Sequence, residues 1–340
     1  MGKGGSQMMA YPTLFFDYDK DDQRRDVSVC NYGIVLSAKG NKYQMNTYNG
    51  MGVGKYRINW KKEMGATNSK RNINFPLLRY ADVLLMYAEA LNEVNNGPTQ
   101  EAINAVKEVR KRAFRGNEAK AAAGIPTNHD DFLTFIQKER KLELSNEGLR
   151  RTDLTRWGKQ YEMLMAAKQR LIDLAKRDGE FANVPVYRAY YLSTTPKFED
   201  PTIALSYIDL SQAEVENLGL KADQISGLKV LNSSSAGKGS VTADLYEKDG
   251  KLYSEANKPE GAVKQTYTIL NMFSIVSIKQ KGNLCVEDVT GVSSNNTWIT
   301  GNSGVFYGLQ KNMTELMPFN TSKILDVNAG LEGQQHPAYK

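Results

Sequence analysis

Apolar positions along this chain change their period near residue 180. Before it they recur at helical spacing, and after it they fall into short alternating runs. Leu77, Ala81, Leu84, Ala88 and Leu91 follow one another at steps of 4, 3, 4 and 3, which lines one face of a helix. Tyr80, Leu84, Tyr87, Leu91 and Val94 form a second stripe beside the first. The two stripes predict a helix from about Asn74 to Glu93, packed on two sides. Asn74-Phe75-Pro76 marks its start, since proline is tolerated in a first turn, and Ala81 and Ala88 leave room for a close neighbour. Asn95-Asn96-Gly97-Pro98 ends it and turns the chain. Thr99 then caps a second helix, with Glu101 facing the positive end of its dipole and Ala102, Val106, Val109 and Ala113 on its apolar face. So short a turn makes the two helices antiparallel.

A third helix is predicted from Asn128 or Asp130, with Phe132, Phe135, Ile136 and Leu142 inward. Its pattern runs on through Glu147, Arg150, Arg151, Asp153 and Arg156 to Trp157-Gly158. A fourth covers 160–177, with Tyr161, Leu164, Met165, Lys168, Leu171 and Ala175 along one side. Beyond 180, VPVYRAYYL at 184–192 and VKQTYTIL at 263–270 read as strands. Ser211 to Glu214 is a capping-box pattern for one short helix. NSSSAGKGS at 232–240 and SSNNTWITGNSG at 293–304 read as polar loops.

These patterns predict a mainly α chain, a tetratricopeptide-like helical scaffold with long loops and short β-strands. No linker separates two cores, so residues 1–340 read as one domain, with a helical core over about 71–178 and a loop and short-strand region over about 179–340. A helix–turn–helix pair of this length is the unit of tetratricopeptide repeats, and one pair cannot bury its faces alone. No second copy follows at fixed period, so the pair reads as the last of a set lying upstream. Met1 to Met9 lacks the apolar core and cleavage site of a secretion signal, and reads as an internal boundary of a longer protein.

Composition removes several function classes. Net charge is +6 over 340 residues, with the basic side chains interleaved with acids, which gives no nucleic-acid footprint. No run of about 18 apolar residues is present to span a bilayer. His129 and His336 are the two histidines; neither sits in metal-ligand spacing, and no serine lies in a nucleophile elbow. Cys30 and Cys285 are the two cysteines, readable either as one disulfide or as two buried thiols. DKDDQRRD at 19–26 has alternating acids that could suit a hard cation, but it lacks the glycine and terminal glutamate of the calcium loop, which favours an ion-paired turn. Glu139, Glu143 and Asp153 could pair for acid–base work. Their interleaving with arginines favours a structural, ionised role in a partly buried network.

Three long elements then carry a resemblance. LLRYADVLLMYAEALNE, the AINAVKEVRKRA helix and I-x-K-E-R-K-L-E-L-x-x-E-G-x-R-x-x-D-L-x-R-W-G resemble, in order and spacing, the SusD/RagB family of outer-membrane nutrient-binding lipoproteins. DKDDQRRD resembles the family's acidic Arg-Arg element. Leu316-Met317-Pro318 through Asn328, Leu331, Gln335, Pro337 and Tyr339 resembles its closing run, with His336 and Ala338 where Asn and Gly are usual. Residues 180–310 carry no matching motif. The resemblance implies a non-catalytic, cofactor-free subunit on the extracellular face of the outer membrane. Such a subunit captures oligosaccharide or polysaccharide and closes over a TonB-dependent SusC-like porin. The lipid-bearing N-terminal cysteine of the family and most of its N-terminal half are absent from this sequence, so any membrane attachment would lie outside it.

No binding residue carries over by motif, so candidates come from chemistry. Sugar rings stack on flat aromatic faces, with amides and acids at the rim for the hydroxyls. Trp298 beside Asn295 and Asn296, Tyr43 and Tyr48 beside Asn41, Asn46 and Asn49, together with Trp60 and Tyr307, fit that description. Trp157 ends a helical pattern and reads as packing. Two other functions fit less of the pattern: a tetratricopeptide-type protein–protein adaptor, and a glycoside hydrolase, which would need two carboxylates facing a cleft.

Overall fold

A computed structural model of the chain describes residues 10–35, 42–55, 75–191, 207–229, 239–273, 306 and 308–311. The chain divides into two compact units, one of residues 1–148 and 185–275 and one of 149–184 and 276–340.

The first unit opens with two short helices, α1 (Pro12–Asp17) and α2 (Arg24–Ser28). Two small antiparallel ribbons follow: β1 (Val29–Cys30) pairs with β4 (Gly52–Val53), and β2 (Tyr32–Val35) with β3 (Lys42–Met45). Cys30 is buried, its Sγ directed at the Tyr32 carbonyl; Cys285 lies outside the described residues. Then come α3 (Tyr80–Val94), α4 (Gln100–Ala113), α5 (Glu118–Ala122) and α6 (His129–Glu143). Helix α3 packs on both α4 and α6. Leu85 and Ala88 interlock with Ala102, Val106, Val109, Phe132 and Ile136 in one buried cluster. The caps are those the sequence indicates: Thr99 Oγ1 accepts from the Ala102 amide, and the Asn128 side chain from the Asp131 amide.

The rest of this unit is an antiparallel five-stranded sheet in the order β6-β5-β9-β7-β8. Its strands are β5 (Tyr187–Tyr190), β6 (Tyr207–Leu210), β7 (Ser240–Lys248), β8 (Lys251–Tyr253) and β9 (Val263–Asn271). The two strands read from the sequence, β5 and β9, are direct neighbours, with Tyr187 opposite Asn271. Tyr187, Ala189, Leu245, Tyr267 and Ile269 bury one face of the sheet against α9 (Gln212–Glu216) and α10 (Ala222–Lys229) through Val215, Leu218 and Leu228. Ser211 and Glu214 form the expected capping box; α10 is an element the periodicity does not reveal.

In the second unit, α7 (Arg150–Arg156) precedes α8 (Gln160–Lys176) and a 3-10 turn at Gly179–Phe181. Leu154, Leu171, Leu174 and Phe181 are buried, and Arg170 pairs with Glu180 at 2.6 Å while lying over the Phe181 ring. Trp157 is half-buried beneath the guanidiniums of Arg150 and Arg156, a packing position.

Four local expectations need correction. Helix α3 begins at Tyr80, well after Pro76, with Leu77 and Leu78 exposed. Arg79 takes an extended conformation (φ −141°, ψ 158°), which releases its side chain from the helix to reach α6. The second α3 stripe is only partly packed among the described residues: Leu84 and Leu91 lie half-buried against the α3–α4–α6 cluster, while Tyr80, Tyr87 and Val94 are exposed. The third predicted helix is two, because Asn146 and Gly148 have φ of 63° and 80°, a left-handed turn that ends α6 before α7 starts. On α8, Met165 lies on the exposed side, and Leu174 takes the inward place.

Candidate functional site

The acidic–basic block at 19–26 folds back on α6. Asp22 accepts from the Arg24 amide, from Arg24 Nε at 2.9 Å and from Nη2 at 2.6 Å, fixing the guanidinium beside the α6 carboxylates. Arg24 Nη1 then donates to Glu139 at 2.6 Å and to Glu143 at 3.0 Å. Glu139 and Glu143 stand four residues apart, one helical turn, so a single cation reaches both. Arg79 at the head of α3 donates from Nη1 to Glu143 at 2.5 Å and from Nε to Glu147 at 2.6 Å. Lys55 donates to the Glu143 carbonyl at 2.7 Å and contacts the Glu147 carboxylate. Arg110 and Arg112, on α4, close the ring on Glu139 and Glu143. The neighbouring acids are also matched: Asp17 with Lys141, Asp19 and Asp21 with Lys120, and Asp26 with Arg25. The block thus works as ion-paired turns, and no cluster of metal-ligating side chains occurs among the described residues.

A cavity of about 380 Å³ opens over this network. Arg24, Lys55, Arg79, Arg112, Glu143 and Glu147 supply its charge, and Val27, Pro76 and Ala113 its apolar wall. Counting the groups tied together, five cations (Arg24, Lys55, Arg79, Arg110, Arg112) meet four carboxylates (Asp22, Glu139, Glu143, Glu147), an excess of one positive charge. Burial pushes the Glu143 carboxyl up, but Arg24, Arg112 and Arg79 more than reverse this and hold it below its ordinary value. Burial likewise opposes charge on Arg24, and Glu139, Asp22 and Glu143 override it. For Lys55 burial wins over Glu147, and its amine is lowered. A general acid needs the reverse environment for its carboxyl, a raised pKa. Asp153, the third carboxylate considered for catalysis, belongs to the other unit and pairs with Arg156 at 3.0 Å.

The model of the SusD family matches residues 6–228, about two thirds of the sequence. The chain belongs to the SusD family. It is similar to SusD-like protein P2 of Formosa agariphila, 31% identical over 162 residues, which are 46% of this chain and 32% of that protein. SusD-like protein P25 of the same organism is 43% identical over 82 residues, 24% of this chain and 15% of that protein. A SusD homolog from Bacteroides thetaiotaomicron, known from a crystal structure, is 29% identical, with 50% of this chain and 38% of that one covered at a TM-score of 0.41. The chain therefore spans about a third of the length of SusD-like protein P2.

The fold is SusD-like, a helical scaffold with short strands, and the motifs that carried the resemblance converge on the ionic cluster. Arg24 comes from the acidic Arg-Arg element, Arg79 from the LLRYADVLLMYAEALNE segment, Arg110 and Arg112 from the next helix, and Glu139, Glu143 and Glu147 from the third. Lys55 is the member no motif announces; it follows Gly54 in a turn, with nothing nearby in sequence to mark it.

The aromatic candidates fare differently. Tyr48, which the polar neighbourhood placed on a sugar-facing loop, is fully buried. Its ring makes edge contacts with Phe16 and Phe273 at 5.3 and 5.1 Å, and its hydroxyl donates to the Pro185 carbonyl at 2.9 Å. The asparagines around it in sequence do not show that the ring turns inward, so Tyr48 presents no open face for a sugar. Tyr43 sits in β3 opposite Ile34. Trp60, Trp298 and Tyr307 lie outside the described residues.

Proposed function

We propose that this chain belongs to a non-catalytic protein that captures oligosaccharide or polysaccharide at the bacterial outer-membrane surface and hands it to a TonB-dependent SusC-like transporter. The match to the SusD family over residues 6–228 carries this reading. Two observations support its non-catalytic part: the clustered carboxylates are tied to arginines, and Glu143 is held ionised. Attachment to the membrane would come from a lipid anchor, a reading that rests on the SusD family match.

The aromatic faces proposed for the sugar are Trp298, Tyr43, Trp60 and Tyr307. Trp298 leads because its neighbours are polar and small. Affinity electrophoresis through gels of neutral and acidic polysaccharides tests capture directly, and a protein retarded by none of them would sink the reading. A reducing-sugar assay on the retained polysaccharide should stay at background. Trp298→Ala should weaken retention while the melting temperature stays within a few degrees. Unchanged affinity by calorimetry would remove Trp298 from the site.

A further inference from the structure

The wall of the cavity over the ionic cluster is short of negative charge. Arg24, Lys55, Arg79 and Arg112 are its cations, against the carboxylates of Glu143 and Glu147. Asp22, Glu139 and Arg110, tied in behind, still leave the network one positive charge in excess. Burial, with Arg79 adding to it, outweighs Glu147 and lowers the Lys55 amine. A further anion beside Lys55 would relieve that.

Two groups of the same wall also hold unused donors. Among the described residues Arg112 makes one contact, from Nη2 to Glu143, which leaves most of the five N–H groups of its guanidinium for a ligand. Ser28 is fully buried, and its Oγ has no hydrogen-bond partner. The Tyr18 hydroxyl beside it is already shared between the Leu142 carbonyl and Ser145.

We propose that this cavity receives the singly charged acidic group of a glycan, a uronate carboxylate or a sulfate ester, with Arg112, Lys55 and Ser28 as its contacts. The proposal rests on the capture of polysaccharide argued above and narrows it to acidic polysaccharides. One such charge sets five cations against five anions, whereas a phosphate monoester, with nearly two charges at neutral pH, overshoots. No buried pair has to open, because Glu143 keeps Arg24 and Arg79. Val27, Pro76 and Ala113 give the sugar ring an apolar wall. The volume of about 380 Å³ lies at the small end of ligand cavities, roughly 300–1,000 Å³, which suits one sugar unit rather than a run of them.

Calorimetric titration with dextran, dextran sulfate and polygalacturonate tests this, since the first two differ only in sulfate. The chain should bind at least one of the charged polymers about tenfold more tightly than dextran, and the favoured polymer tells sulfate from carboxylate. Arg112→Ala should lose that preference while circular dichroism stays unchanged, and Arg112→Lys should keep part of it. Arg115→Asn removes an equal charge three residues on, outside the cavity wall. It does so at a left-handed position that asparagine tolerates, and should bind as wild type does. Equal affinity for all three polymers overturns the proposal. Equal losses in the Arg112 and Arg115 variants do so too, because the attraction is then the diffuse one of a chain with net charge +6. Capture of neutral polysaccharide alone overturns it while leaving the capture function standing, and capture of no polysaccharide at all removes both.

Discussion

Replacing Glu143 by glutamine tests whether the ionic cluster holds the first unit together. The side chain is 2% exposed and receives Arg24, Arg79 and Arg112. Glutamine keeps its volume but removes its charge, so the cluster's excess rises from one positive charge to two. Removing one partner of a buried pair costs about 3–5 kcal/mol, because the remaining charge is left uncompensated. Arg112 adds little to that sum, since its side chain is 64% exposed and water can solvate it. Arg24 and Arg79 are the buried partners, at 11% and 23% exposure. We therefore expect Glu143→Gln to lose about 3 kcal/mol in urea unfolding, against under about 0.5 kcal/mol for Arg112→Ala.

The pH dependence gives a second check. The Glu143 pKa is lowered on folding from its ordinary 4.5, so the unfolded chain binds the proton more readily. Its stabilisation is full above that ordinary value and is lost as pH falls through the lower folded value. Wild-type stability should drop steeply below pH 4.5, and the glutamine variant should drop less steeply. A loss below about 1 kcal/mol at neutral pH, or parallel acid profiles, would refute the account.

Arg188 is buried, bonds Asp209 at 2.5 Å and lies over the Tyr207 ring at 4.2 Å, while its Nη1 has no hydrogen-bond partner. Arg188→Met should therefore cost less than the charge-conserving Arg188→Lys, whose compact ammonium cannot stack; the reverse order in thermal melts would contradict this. Tyr48→Phe should cost about 0.5–1.5 kcal/mol and Tyr48→Ala about 3–5 kcal/mol. An alanine variant that keeps its stability but loses glycan retention would return Tyr48 to the binding surface. Arg110 donates to the carbonyls of Lys120, Ala121 and Ala123 at the end of α5. Arg110→Ala should cost about 1.5–3 kcal/mol and speed amide exchange in 118–123, and unchanged exchange there would show that α5 closes without it.

What the sequence exposes are features decided within one turn of helix or one strand. Thr99 and Asn128 cap because their side chains reach amides three residues on, and Ala102, Val106 and Val109 are buried because their spacing is their environment. Hidden features depend on partners far along the chain. Pro76 is compatible with a helix start, but Arg79 is claimed by Glu143 and Glu147, 64 and 68 residues away, and the helix begins after it. Tyr48 stands among asparagines, yet Phe273 and Pro185 enclose it from more than a hundred residues off. The α3 stripe misleads in the other direction: apolar periodicity predicts burial, but cannot say which of two apolar faces the other helices cover.

The cluster that names the family is a poor place to bind a sugar, and the reason is energetic. Its carboxylates are buried and its cations are shared among them, so a hydroxyl could reach Glu139 or Glu143 only by displacing Arg24 or Arg79. Opening such a pair costs about 3–5 kcal/mol, whereas each new hydrogen bond returns about 0.5–1.5 kcal/mol net. Two or three sugar contacts would only break even, before the ligand's own ordering cost. The cavity mouth is different: Arg112 is largely solvated already, and engaging it gives up one contact to Glu143, which Arg24 and Arg79 still hold. On the proposed reading, a glycan would therefore be selected by groups that water now solvates, and the segments that make the family recognisable hold α2, α3, α4 and α6 in fixed register.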